Sequence, residues 1–193
     1  MCSLCACSRT DLTVVKGVRE RIAGAASKDV LFSELIFSIM TDVVLVLVES
    51  IGAKDRETLI LDDEMGHICD ELVITTDDGS FGERGFVTTP LQKYLDERYD
   101  IKLAYAIGPI IMMKNVCKLT KKYNMKTMVS LNPVMIDGTG MCGGCRVTVD
   151  NRTQFCCVDG PDFDGHLVDF DELEKRNSIY LKDEKDSLLN SIR

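Results

Sequence analysis

From Val43 to Leu131 short β-branched apolar runs alternate with amphipathic stretches, the pattern of strand–helix units that build a parallel sheet. VVLVLV (43–48) reads as a buried strand, TLILDDEMGHIC (58–69) contains a short helix, and ELVITT (71–76) is the next strand. DDGSFGERG (77–85) is a glycine-rich turn. TTPLQKYLDERY (88–99) makes a helix with Pro90 in its first turn, where a missing amide hydrogen costs little. IKLAYAI (101–107) is a strand, 109–123 a helix and TMVSL (127–131) a further strand. After Pro133 the character changes to a cysteine-bearing loop, a hairpin CRVTVDNRTQFCCV turning at Asp150–Asn151, and an acidic tail. The expected fold class is therefore α/β: a parallel-sheet core over 51–132, a small C-terminal lobe over 133–193, and an atypical segment 1–50 that partly completes the core.

A chain of 193 residues, 45% hydrophobic and 28% charged, has enough apolar surface for one such core. Its formal charge of −8 opposes general binding to nucleic acid or to anionic membrane. The apolar run from Val30 to Val48 has the length of a membrane span, but Glu34 and Asp42 would be costly at bilayer depth, so it reads as a helix followed by a strand. With no secretory leader pattern at its start, the nine cysteines are expected to be reduced thiols or metal ligands in a cytoplasmic setting.

The stretch DGTGMCGGCRVTVDNRTQFCCVDGPDF (137–163) holds four of those cysteines. Asp137, Cys142, Cys145 and Cys157 read as D-x4-C-x2-C-x11-C, the plant-type [2Fe-2S] spacing with aspartate in the first place. Gly138, Gly140, Gly143 and Gly144 let the backbone curl around a compact inorganic core and aim amide hydrogens at its sulfurs. A carboxylate can ligate iron, although it is a harder donor than thiolate. Cys156 is the rival fourth ligand. Neighbours in a strand face opposite ways, so Cys156 and Cys157 are not expected to reach one cluster together.

Two other chemistries use the same thiols. A zinc site from Cys142, Cys145, Cys157 and His166 is reasonable but lacks a second closely spaced pair. A redox disulfide in C-x-x-C ordinarily precedes a helix, whereas CGGC runs into the strand-like RVTV. The cluster reading is preferred to both.

LNPVMIDGTGMCGGCRVTVDN together with CVDGPDFDGH resembles the iron–sulfur segment of the flavoprotein subunit of ferredoxin:NADP oxidoreductases and sulfide dehydrogenases, a family related to the electron-transfer subunit of dihydroorotate dehydrogenase. That resemblance implies a [2Fe-2S] cluster held by Asp137, Cys142, Cys145 and Cys157, the last because it precedes Val158-Asp159-Gly160-Pro161. It continues through IGAKDRETLILDDEM, ELVITTDDGSFGERGFVTTPL and YAIGPIIMMK, which are similar to the pyridine-nucleotide domain of the ferredoxin-reductase superfamily. The sheet core is then of the ferredoxin-reductase type and NAD(P)-binding-like. Thr75, Thr76, Asp77, Asp78, Gly79 and Ser80, with Gly108 and Pro109, fall at the carboxyl ends of expected strands, where open α/β sheets place ligands. Pro109 would also start a helix whose free amides face that crevice.

The family begins with a flavin-binding barrel and a glycine-rich nucleotide loop, whereas here 50 residues precede Ile51 and KGVRERIAGAAS contains no G-x-G-x-x-G. FAD and NAD(P) are accordingly expected through a partner or a missing domain, with a flavoprotein or iron–sulfur partner subunit receiving or supplying electrons. A non-catalytic iron–sulfur or zinc-bound interaction module is the alternative.

The remaining features have structural readings. Lys114, Lys118, Lys121 and Lys122 share one helix face, taken as solvated. Cys69 and Cys117 are expected as small core residues, and Cys2, Cys5 and Cys7 as thiols of a loose terminus. His67 has no companion that points to catalysis. Asp162, Asp164, Asp169 and Asp171 are expected to face solvent, their spacing lacking the full calcium-loop ligand set.

Overall fold

The computed structural model describes residues 17–21, 44–97 and 101–191; the helix expected from Val30 and the thiols Cys2, Cys5 and Cys7 lie outside them. Contacts divide the chain into two units, Met1–Ala104 and Tyr105–Arg193.

The first unit is built on a four-stranded sheet of order β1-β2-β3-β4, with β1 at Gly17–Arg21, β2 at Val44–Ala53, β3 at Glu71–Thr76 and β4 at Glu83–Arg84. β2 pairs parallel with β3, in register from Val48 opposite Glu71 to Ala53 opposite Thr76, and β3 pairs parallel with β4. β2 thus runs beyond the apolar run that marks it in sequence, because pairing with β3 carries the extended backbone through Glu49–Ala53. β1, which no periodicity announces, lies antiparallel to β2. A short helix α1 (Asp62–Ile68) returns the chain to β3, and Ile51, Ala53 and Leu59 form a buried cluster joined by Met65, Leu72 and Ile74. Helix α2 (Thr88–Glu97) buries Pro90, Leu91 and Leu95, one stripe of an amphipathic helix.

The second unit takes up the later residues of β5 (Leu103–Ile107), which with β6 (Lys126–Ser130) and β9 (Asp162–Asp164) forms a sheet in the order β5-β6-β9, with β6 and β9 antiparallel. Helix α3 (Ile110–Lys122) joins β5 to β6 and buries Met113, Val116, Cys117 and Thr120, the i, i+3, i+4, i+7 pattern. It ends where Asn124 takes φ 52° and the Met125 amide returns to the Thr120 carbonyl at 3.1 Å.

β7 (Arg146–Val149) and β8 (Arg152–Phe155) form the expected hairpin, Val149 opposite Arg152. Asp150 and Asn151 both take positive φ, 50° and 58°, as a two-residue hairpin turn requires.

The acidic tail is largely helical, with Asp162, Asp169 and Asp171 exposed as expected and Asp164 half-buried. Helix α4 (Phe170–Asn177) starts where the Asp169 side chain accepts from the Glu172 amide at 3.0 Å, and it buries Phe170 and Leu173. Helix α5 (Leu181–Ser191) follows. No helix among the described residues is long and apolar enough to cross a membrane.

Candidate metal centre

The loop 131–145 leads from β6 into β7, and the residues after β8 return beside it. Arg146 pairs with Phe155, and the Cys156 amide donates to the Cys145 carbonyl at 3.2 Å, which continues the hairpin one step past its strands. The chain then turns sharply: the amides of Val158 and Asp159 both donate to the Phe155 carbonyl, and the Asp159 carboxylate accepts from the Phe155 amide at 2.7 Å. Cys156 and Cys157 therefore lie in a turn, not in a strand as expected. Cys156 is buried, while Cys157 is half-buried with its sulfur 3.2 Å from that of Cys145.

The Asp137 carboxyl is held below the usual carboxylate range, first by the Thr139 amide at 2.8 Å and further by the thiol and amide of Cys142. The Cys157 thiol is pushed up, chiefly by the neighbouring Cys145 thiol, while the Gly140 amide acts on it in the opposite direction. The Gly144 amide donates to the Cys142 sulfur at 3.3 Å. Burial, reinforced by the nearby Cys145 and Cys157 thiols, pushes Cys156 up to about 12, which keeps it a neutral thiol.

Donors and backbone suit a small anionic cluster. Two thiolates on one tetrahedral ion with bonds of about 2.3 Å stand roughly 3.8 Å apart, so a small rotation at Cys145 or Cys157 suffices. A side chain on Gly144 would stand 2.9 Å from Ile136 Cδ1 and 3.4 Å from Cys142 Sγ, and one on Gly140 would stand 2.7 Å from Val158 Cγ2. Gly143 takes φ 68°, a conformation that disfavours other residues. Among the described residues no three histidine, cysteine, aspartate or glutamate groups gather as a single ion would need. His166, the fourth ligand of the zinc alternative, has its ring on Thr120 Oγ1 at 3.1 Å.

The residues expected to meet a nucleotide fall in different units. In the first, Thr76 is buried and closes the loop after β3: its hydroxyl donates to the Phe81 carbonyl at 2.7 Å and accepts from the Phe81 amide at 3.2 Å. Asp77, Asp78, Gly79 and Ser80 are exposed on that loop. The Ser80 amide holds the Asp78 carboxyl below its usual range, and the Arg56 amide donates to Ser80 Oγ at 2.8 Å. Arg56 also stacks 4.4 Å over the Phe81 ring. In the second unit Gly108 and Pro109 join β5 to α3, with the Met113 amide on the Pro109 carbonyl at 3.0 Å. The first amides of α3 thereby stay free of intrahelical partners.

Sequence reasoning missed the contacts of α3 and α4 with the rest of this unit. Lys114 is not on a merely solvated face: it donates to Asp171 at 2.6 Å and Glu174 at 3.2 Å. Arg176 reaches the Gly144 carbonyl at 3.1 Å, and Arg146 reaches that of Gly143 at 3.2 Å. Arg146, directly after C-x2-C, could have been noticed; Arg176 lies 32 residues from its partner with no local signal. Cys117 is buried in the core as expected, whereas Cys69 is half-buried at the end of α1.

Residues 132–169 match the model of the iron–sulfur cluster binding domain of dihydroorotate dehydrogenase B. A Thermotoga maritima homologue of the electron transfer subunit of dihydroorotate dehydrogenase B (NAD(+)) is 49% identical over 136 residues, 70% of this chain and 47% of that protein. A probable electron transfer subunit of the same enzyme from Methanocaldococcus jannaschii is 39% identical over 62% of this chain and 45% of its own length. The chain spans about half the length of these curated relatives. A chain from the solved structure of an NADH-dependent reduced ferredoxin-NADP oxidoreductase, described in connection with flavin-based electron bifurcation, superposes with a TM-score of 0.68 at 29% identity, covering 99% of this chain and 90% of that one. The chain is related to both groups, the relation that its motifs imply, and its α/β fold is that of the solved oxidoreductase chain.

Proposed function

We propose that this chain carries electrons one at a time through a [2Fe-2S] cluster held by Asp137, Cys142, Cys145 and Cys157, as part of an NAD(P)H- and flavin-linked oxidoreductase system. The observation that carries the reading is the approach of the Cys145 and Cys157 sulfurs to 3.2 Å beside the glycine loop that bears Asp137 and Cys142. A binuclear cluster takes two protein donors on each iron, whereas one zinc ion needs all four donors around one point. When bound, the cluster supplies a one-electron couple.

The protein's part is to keep the Asp137 carboxyl ionised and to present hydrogen-bond donors to the cluster's ligands. The Thr139 amide keeps the Asp137 carboxyl ionised, and the Gly144 amide is already directed at the Cys142 sulfur. Each N–H beside a sulfur lowers the cost of adding negative charge there. Cys156, buried and neutral, stands outside the ligand set in this reading.

Asp77, Asp78, Gly79 and Ser80, closed by Thr76, and Gly108 with Pro109 are proposed nucleotide contacts, each at a strand's carboxyl end. In that scheme 51–132 is the NAD(P)-binding-like region, 1–50 partly completes it, and 133–193 is the cluster lobe. The relatives are described as homologues of, or probable, electron transfer subunits, which supports a flavoprotein or iron–sulfur partner subunit; a cytoplasmic setting is part of this proposal.

The test is an iron and sulfide count with a visible spectrum on anaerobically purified protein. About two irons and two labile sulfides per chain, with a paramagnetic signal on one-electron reduction, is the expected result. Stoichiometric zinc without visible absorption would reject it.

A further inference from the structure

Two arginines grip successive carbonyls of the C-x2-C loop. Arg176 Nη2 donates to the Gly144 carbonyl at 3.1 Å, and Arg146 Nη1 donates to the Gly143 carbonyl at 3.2 Å. A trans peptide is planar, with its C=O and N–H pointing in opposite directions. Fixing the Gly143 carbonyl on Arg146 therefore turns the Gly144 amide the other way, and that amide is found on the Cys142 sulfur at 3.3 Å. Fixing the Gly144 carbonyl on Arg176 likewise turns the Cys145 amide away from Arg176.

Glycines supply no side chain to hold those planes; Gly143 sits at φ 68°, and within the loop its carbonyl meets the Arg146 backbone amide at a long 3.4 Å. The Gly144 carbonyl is held by a distant residue, Arg176. Arg176 is suited to hold it because α4 is itself anchored at several points. Phe170 and Leu173 are buried, Asp169 caps the first turn, Lys114 holds Asp171 and Glu174, and Asn177 Nδ2 reaches the Asn132 carbonyl at 3.4 Å. Arg176 is half-buried in the last turn of that helix, and its fork is pre-organised compared with a flexible ammonium.

We propose that Arg176, assisted by Arg146, is a positioning residue that sets the reduction potential of this site by locking the Gly143–Gly144 and Gly144–Cys145 peptide planes with their amide hydrogens toward the sulfurs. The inference rests on the cluster reading above. Reduction adds one negative charge, and fixed N–H donors stabilise the more negative state more strongly, so the lock makes the cluster easier to reduce. The guanidinium charge acts in the same direction, and a lysine separates the two contributions because it keeps the charge but not the fork.

The experiment compares the full chain with Arg176→Met and Arg176→Lys. Iron and sulfide are counted first, then the potential is measured by redox titration and the couplings of exchangeable protons by electron–nuclear resonance in H2O and D2O. Arg176→Met is expected to keep its iron while its reduction equilibrium moves about tenfold toward the oxidised form, about 59 mV for one electron, with weakened exchangeable-proton couplings. Arg176→Lys is expected to recover part of the potential but not the couplings. Iron-loaded Arg176→Met with unchanged potential and couplings would overturn the lock and leave the cluster reading standing. Full recovery of both by lysine would show that charge alone acts, which also overturns it. Wild-type protein with no iron would instead remove the cluster reading itself.

Discussion

Cys145 Sγ and Cys157 Sγ stand 3.2 Å apart although twelve positions separate them in sequence. The β7–β8 hairpin brings Cys145 opposite Cys156, and the turn sealed by Asp159 carries Cys157 round to the sulfur side.

Because that turn directs Cys157 to Cys145 and buries Cys156, the two adjacent thiols respond differently to substitution. Cys157→Ser is expected to weaken cluster retention by roughly tenfold or more. Cys156→Ser keeps the iron but leaves a buried hydroxyl without a matched partner, lowering stability by about 1–3 kcal/mol. Asp137→Cys retains the cluster with altered spectrum and potential, since thiolate is the softer donor. Iron content and thermal melts decide; loss of iron in Cys156→Ser with none in Asp137→Ala would refute the ligand set.

The loop glycines do not have equal reasons to be glycine. Gly140 takes φ 81°, so Gly140→Ala is strained by about 1–2 kcal/mol whether or not Val158 is trimmed. Gly144 is limited mainly by Ile136 Cδ1, the end of an exposed side chain, which can move aside. Urea unfolding should rank Gly140→Ala below Gly144→Ala, and Val158→Ala should fail to rescue the former.

Lys114 and Asp171 make a stability contribution with a defined pH window. Lys114 holds the Asp171 carboxyl below its unfolded value, so the contribution is present above about pH 4 and disappears as pH falls through the depressed folded value. Asp171, followed by Glu174, raises Lys114, so the contribution is complete below about pH 10 and fades above the raised value. In urea titrations the gap between wild type and Lys114→Met should be level near neutrality and close as the pH falls below about 4. A gap that widens in acid would contradict the ion pair.

Nicotinamide releases a hydride, two electrons together, whereas a [2Fe-2S] centre accepts one. This 193-residue chain, reconstituted with iron and sulfide, is expected not to be bleached at an enzymatic rate by NADH or NADPH until a flavoprotein is added. Rapid bleaching by nucleotide alone, with flavin released on denaturation, would show a reductase complete in itself.

What the sequence determined by itself is local. The strands at 71–76 and 126–130, the helices at 88–97 and 110–122, and the hairpin turn at Asp150–Asn151 all follow from patterns within a few residues. The D-x4-C-x2-C spacing is similarly local, because a short glycine loop limits how far its donors can separate. What only the tertiary structure decided depends on contacts with no sequence period. β2 extends to Ala53 because β3 lies beside it, and Cys157 rather than Cys156 meets Cys145 because the chain leaves the strand at Phe155. The acidic tail is a helix because Phe170 and Leu173 find an apolar surface, and Lys114 and Arg176 find their partners only after α4 has docked. Such pairings are chosen by the packing of distant segments, through side-chain reach and burial, and those quantities do not exist until the chain has folded.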